Sequence, residues 1–170
     1  MSSAFDPYAD RTLSDAARKL ITSFIEEGIP FNKYLGMKCT ALRPGFGRLE
    51  LPPRDQFTGD PWRPALHGGV ISTLADTVGG LACFTLMTSD GRCSTIDLRV
   101  DYLRPGKVNT ALAAEANIIR FGNRVAVANV VVLQDEDRNS PIAMAKGVYS
   151  IRRKPVEGTT KPPWGEADEG

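Results

Sequence analysis

Histidine is almost absent from this chain: His67 is the only one in 170 residues. Cysteine is scarce as well, and Cys39, Cys83 and Cys93 fall at no C-x-x-C spacing. Zinc sites are built from several such ligands at close spacing, so neither a zinc site nor a His-rich metal centre is expected. An excess of one charge is missing too. Twenty-one basic against twenty acidic residues leave a formal charge of +1, with no basic field of the kind nucleic-acid binding needs. The longest nearly apolar run, residues 78–87, falls far short of the roughly 20 residues of a membrane span. The glycines lack both G-x-G-x-x-G and P-loop spacing, so no NAD, flavin or nucleotide cofactor is called for. The first seven residues have neither a basic region nor an apolar one, and three unpatterned cysteines suit a reducing compartment; a cytoplasmic protein is expected.

What is present is an ordinary globular composition, 42% hydrophobic, with length enough for one domain with its own core. Its most informative stretch runs over residues 65–87. Val70, Ile71, Leu74, Ala75, Val78, Leu81, Ala82 and Phe84 recur every three to four residues, which predicts a buried helix at the centre of the core. On that oily cylinder Asp76 shares a narrow stripe with Ser72, Thr73, Gly79 and Gly80. Two readings fit the stripe: a helix edge touching solvent, or a carboxylate that faces a ligand channel and works as a base or nucleophile. Gly68 and Gly69 favour the second. Glycine costs about 1 kcal/mol in a helix interior and belongs in a first turn that something must approach closely. Unpaired N–H groups there, backed by the helix dipole, suit a developing oxyanion. His67, just before the pair, is either part of that site or a helix-entry residue without chemistry.

The remaining pattern is a sequence of strands. Residues 13–27 read as an amphipathic helix, with Leu13, Ala16, Ala17, Leu20, Ile21, Phe24 and Ile25 on one face and Gly28 as its stop. A connector over 30–35 leads to strands 37–42 and 46–51, joined at Pro44-Gly45, and a loop over 56–64 leads into the central helix. Strict alternation then puts Ile96, Leu98, Val100 and Tyr102 on one face of a strand and Thr95, Asp97, Arg99 and Asp101 on the other. Strands 108–120, 124–133 and 142–152 follow, and a mobile tail is expected over 154–170. One buried helix, two strands before it and four after imply an α+β domain, its curved antiparallel sheet wrapped around the helix.

This order, with His67-Gly68-Gly69, a gap of six residues and then Asp76, resembles the hotdog-fold acyl-CoA thioesterases of the phenylacetate-degradation (PaaI) type. The resemblance spans residues 35–152 and includes Leu35-Gly36-Met37, Pro44-Gly45, the strand from Asp97 to Pro105 and the closing Ala143-Met144-Ala145-Lys146-Gly147. It implies a helical segment over 1–34, a hotdog domain over 35–153 and hydrolysis of acyl-CoA thioesters without metal or cofactor. By the same resemblance Gly68 polarises the thioester carbonyl through its N–H, beside Gly69, with His67 shaping the turn. Asp76 is then the nucleophile or the base, and Thr95 positions the attacking water. Arg120 and Arg124, around Phe121-Gly122-Asn123, are the candidates for the nucleotide end, and Trp62 and Phe84 for the acyl chain. One feature departs from the family: where an Asn frequently stands six residues before the histidine, this chain has Pro61. A hotdog hydratase or dehydratase, and a non-catalytic acyl-CoA-binding protein, are the alternatives.

Gly68 and Asp76 lie eight residues apart on one helix, a rise of roughly 12 Å, too far for one copy to bring both to a single carbon. A homodimer with shared sites, open to further pairing into tetramers, is the expected assembly, and family members of this type form such dimers.

Overall fold

The helix predicted at the centre of the core is there. In the computed structural model, which describes residues 7–8, 10–60, 62–87, 91–135, 137 and 139–152, α3 spans Gly68–Phe84. Leu74, Ala75, Val78, Leu81 and Ala82 are fully buried along it. The element order before it is α1 (Asp15–Ser23), α2 (Pro30–Leu35), β1 (Lys38–Arg43), β2 (Phe46–Leu51), β3 (Thr58–Asp60) and β4 (Ala65–Leu66). After it come β5 (Arg92–Tyr102), β6 (Leu112–Phe121), β7 (Val125–Leu133) and β8 (Ala143–Arg152). Six strands form one antiparallel sheet in the order β1-β2-β6-β7-β8-β5, and α3 packs against β2, β6, β7, β8 and β5. This is the hotdog architecture.

Small residues let the helix sit close to the sheet. Ala114, Ala116, Ala126, Ala128 and Ala143 face it, fully buried, from three neighbouring strands. A side chain at Gly47 of β2 would meet Leu81 at 2.8 Å. Thr85 closes the helix: its hydroxyl donates to the Ala82 carbonyl and accepts from the Gly45 N–H, tying the β1–β2 turn to the helix end.

Several expectations need correction. Residues 30–35 are not a connector but a helix, with Pro30 in its first turn and Gly36 at φ 75° as its left-handed stop. Pro at the start and Gly past the end is the usual bracket of a short helix, too short to show a period. The N-terminal helix is α-helical only to Ser23, and a π-helical turn, Phe24–Gly28, completes it. Ile25 is buried while Leu20, expected inside, is 58% exposed; five residues apart, the two stand roughly 140° apart around a regular helix and do not share a face. The loop over 56–64 contains the β3 strand of a small β3–β4 hairpin, and the strand expected from 108 starts at Leu112.

The correction that matters most for the site lies in β5. Its pairing with β8 slips between Thr95 and Asp97, a bulge centred on Ile96. Strict alternation puts Thr95 and Leu98 on opposite faces; the extra residue puts both toward the helix and leaves Ile96 60% exposed. β5 is also the outermost strand on its side of the sheet. The tail expected beyond 153, and Pro61, lie outside the described residues.

Candidate active site

The helix start is built by its N-cap. His67 has extended backbone (φ −67°, ψ 129°), and its Nδ1 accepts from the Gly69 N–H at 2.9 Å. An accepting Nδ1 carries no proton, so the neutral ring is the Nε2–H tautomer. The Val70 N–H donates to the His67 carbonyl at 3.0 Å, and the His67 N–H to the Phe57 carbonyl at 2.8 Å, which hangs the turn on the loop before β3. Gly59 makes room for this, since a Cβ there would fall 2.6 Å from the His67 Cα. Among the described residues the N–H of Gly68 has no acceptor. It is thus the donor of this turn free to meet a negative oxygen, with the helix dipole behind it.

Two turns along, Asp76 is partly buried on the stripe of small residues. Thr95 Oγ1 donates to its Oδ1 at 2.7 Å, a contact that exists because of the β5 bulge. Oδ2 is left to take a proton or to attack. The backbone of the same residue is held from β8: the Tyr149 hydroxyl donates to the Asp76 carbonyl at 3.2 Å. Gly79 admits that ring, as a Cβ at this position would fall 2.0 Å from the tyrosine oxygen. Burial, and after it the negative charge of Asp76, hold the Tyr149 phenol well above its ordinary range, so it stays a neutral donor. Tyr149 pairs with Thr95 across the β5–β8 ladder, and the two hydroxyls therefore grip one aspartate from adjacent strands.

The sequence pattern revealed no role for Tyr149 or Tyr102, and placed Ser72 only on the stripe beside Asp76. The Tyr102 hydroxyl lies 2.5 Å from Ser72 Oγ and 3.1 Å from the Gly68 carbonyl. The stripe that marked Asp76 was the available signal: Ser72 and Gly79 are the points where the two tyrosines reach the helix.

The other expected residues lie around this centre. Asn123 and Arg124 are exposed at the β6–β7 hairpin, with Arg120 exposed just before it. Ala126, Tyr149 and Thr95 form one row across β7, β8 and β5, so this hairpin sits beyond the Asp76 end of the sheet. Trp62, 89% exposed, stands in the β3–β4 turn, where Asp60 Oδ1 accepts from the N–H groups of Trp62 and Arg63. Phe84 packs edge to face on Phe24 with ring centres 5.4 Å apart, at the far end of α3 from His67. Close to Tyr149, the buried Cys83 thiol is raised well above the usual range, first by its hydrogen bond with Cys93 and then by burial. Among the described residues no group of three or more His, Cys, Asp or Glu is placed to hold a metal ion, and no helix is long and apolar enough to cross a membrane.

The chain is similar to known proteins in sequence and in fold. Residues 64–140, which include α3 and Thr95, match the model of the thioesterase superfamily. A medium/long-chain acyl-CoA thioesterase, YigI of Salmonella typhimurium, is 35% identical over 151 residues, covering 81% of this chain and 96% of its own. The crystal structure of a thioesterase family protein from Silicibacter pomeroyi superposes with a TM-score of 0.69 at 26% identity, over 79% of this chain and 96% of that one. The fold of Escherichia coli PaaI, from the phenylacetic acid degradation operon, is matched with a TM-score of 0.70 at 22% identity, over 82% of this chain and 95% of that one. By its sequence and by its fold, the chain belongs to the thioesterase superfamily.

Proposed function

We propose that this protein hydrolyses acyl-CoA thioesters of medium or long chain, with Asp76 as the acting carboxylate and the Gly68 N–H as the oxyanion donor. The observation that carries this reading is the pairing on one helix of an open first-turn N–H with a carboxylate oriented by Thr95. The chain length is taken from what YigI, the 35% identical relative, is said to act on.

Asp76 takes a proton from water as its oxygen attacks the thioester carbonyl, or attacks that carbon itself. In either case the carbonyl oxygen becomes negative, and the Gly68 N–H and helix dipole stabilise it more than they stabilise the neutral ester. Collapse of the tetrahedral intermediate breaks the C–S bond; on the base route the leaving thiolate regains a proton from Asp76, and on the direct route from the water that later cleaves the anhydride. Thr95 keeps Oδ1 occupied, so the reacting oxygen is Oδ2. Water completes the direct route by hydrolysing the acyl-aspartyl anhydride.

The two groups belong to one site through a dimer. The rise of roughly 12 Å between them along α3 calls for a second copy, its helix antiparallel to the first across a two-fold axis. In support, among the described residues no strand pairs with the outer edge of the eleven-residue β5, and Ile96 on it is 60% exposed. An open strand edge of this length offers unpaired N–H and C=O groups with which a second chain can pair. Arg120, Asn123 and Arg124 would then meet the phosphates of the nucleotide end, and Trp62 and Phe84 belong with the acyl chain.

The test is thiol release from a panel of short, medium, long and aromatic acyl-CoAs, with Asp76→Asn as control. Release from medium and long chains, lost in the variant and untouched by chelator, supports the proposal. Tight acyl-CoA binding with no release from any of them overturns it in favour of a carrier.

A further inference from the structure

The peptide unit between Gly68 and Gly69 is held at both ends. Its carbonyl lies 3.1 Å from both the Ser72 and the Tyr102 hydroxyls, and its N–H donates to His67 Nδ1 at 2.9 Å. Ser72 Oγ and Tyr102 Oη are 2.5 Å from each other. Two hydroxyls bring two protons: one bridges them, and the other goes to the carbonyl. None is left over for substrate, so the cluster holds rather than reacts.

What it holds needs holding. Two consecutive glycines make the least constrained first turn a helix can have, and helix starts fray. A turn that loose would present the Gly68 N–H over a range of directions. The tyrosine ring also walls the turn, since a Cβ at Gly68 would meet it at 3.2 Å. Donation to a peptide carbonyl polarises the unit and strengthens its N–H as a donor. Here the strengthened N–H is the one that His67 Nδ1 accepts, and that bond fixes both the orientation of the imidazole and its tautomer.

Resting on the hydrolase reading above, we infer that Tyr102, acting with Ser72 through the Gly68–Gly69 peptide, is a positioning residue for the oxyanion turn and for the Nε2–H tautomer of His67. It touches neither the thioester nor the water. It joins β5 to the start of α3, so the strand that carries Thr95 to Asp76 also sets the direction of the oxyanion donor.

Tyr102→Phe tests this, because it deletes the hydroxyl, leaves the ring on Gly68 and changes a residue that is 53% exposed. His67 is the only histidine, so its ring nitrogens can be read alone in a long-range proton–nitrogen spectrum at alkaline pH. The wild-type ring is expected as the Nε2–H tautomer, and the variant as a mixture. With acyl-CoA, kcat should fall about ten- to a hundredfold while KM stays within about twofold, the loss expected when a positioned group drifts by about an ångström. Ser72→Ala should lose less, and the double variant no more than Y102F alone, since both act on one network. An unchanged tautomer, an unchanged kcat or a loss confined to KM overturns the inference. Absence of thiol release from the wild-type protein counts instead against the hydrolase reading, and the tautomer of His67 in Y102F then decides the clamp by itself.

Discussion

Thr95 Oγ1 donates to Asp76 Oδ1 at 2.7 Å, and it can do so because β5 gains one residue at Ile96. Before the bulge the strand turns Thr95 toward the helix, and beyond it the strand still turns Leu98 and Val100 the same way. Bulges recur beside active sites because they re-aim one side chain without giving up the sheet.

That contact sets the first prediction. Asp76→Asn, nearly isosteric, should lower kcat by roughly 10²–10⁴, the usual cost of a positioned acid–base group, with an unchanged circular dichroism spectrum. Thr95→Val keeps the branched shape and loses the hydroxyl, so it should cost about ten- to a hundredfold, the worth of roughly one hydrogen bond to a charged group. A Thr95→Val enzyme as fast as wild type would make Thr95 a strand residue and nothing more.

Two adjacent glycines should respond to alanine with opposite signs. At Gly79 the new methyl would lie 2.0 Å from the Tyr149 hydroxyl oxygen, and that ring is 1% exposed with nowhere to go. Overpacking of this kind costs about 1–3 kcal/mol. At Gly80 nothing lies within 4 Å of the added carbon, and alanine is the better helix former by up to about 1 kcal/mol. Urea midpoints at constant m-value measure both. Destabilisation by both variants would mean that the space beside Gly80 is filled, as a second subunit across the helix would fill it.

The parts of this protein that could be read from its sequence are those whose signal is local. Residues 68–84 announce a buried helix by period, and Asp76 with Gly68 and Gly69 announce a site because each is costly where it stands unless something uses it. The hidden parts depend on pairing across the fold. Whether Thr95 faces in or out follows from a register slip against β8, which no alternation along β5 can reveal. Tyr149 and Tyr102 act on backbone carbonyls 73 and 34 residues away in the chain, and backbone carbonyls carry no sequence signature. α2 is six residues long, less than two turns, so only its bracketing Pro30 and Gly36 could have betrayed it.

Thiol chemistry separates Cys83 from Cys39. The Cys83 thiol is fully buried, hydrogen-bonded to Cys93 and raised well above the usual range. The thiolate is the nucleophile, so this residue should resist iodoacetamide in the native protein. Cys39 is raised as well, chiefly by burial, but it is partly exposed and should label slowly. Mass spectrometry after a short pulse at about pH 8, compared with the same pulse in urea, should find Cys83 modified only in urea. Native labelling of Cys83 at the rate of Cys39 would mean that the end of α3 opens readily.

Shared sites can be tested with two inactive proteins. Gly68→Pro removes the proposed oxyanion N–H and should still fold: proline is favoured in the first turn of a helix, His67 at ψ 129° already has the extended backbone that a residue before proline adopts, and the Tyr102 ring, 3.2 Å from the added Cβ, is 53% exposed and free to give way. Asp76→Ala removes the carboxylate and leaves the turn alone. If each site takes its Gly68 from one subunit and its Asp76 from the other, a heterodimer of the two variants has one doubly damaged site and one intact site. Statistical mixing makes half of all dimers mixed, so activity should return to about a quarter of wild type. If both groups of a site come from one chain, every site in every mixture carries a defect and nothing returns. Native mass spectrometry shows whether subunits have exchanged. Exchange without recovered activity would place Gly68 and Asp76 in sites that are not shared, and the span of roughly 12 Å between them would then have to be bridged within one subunit.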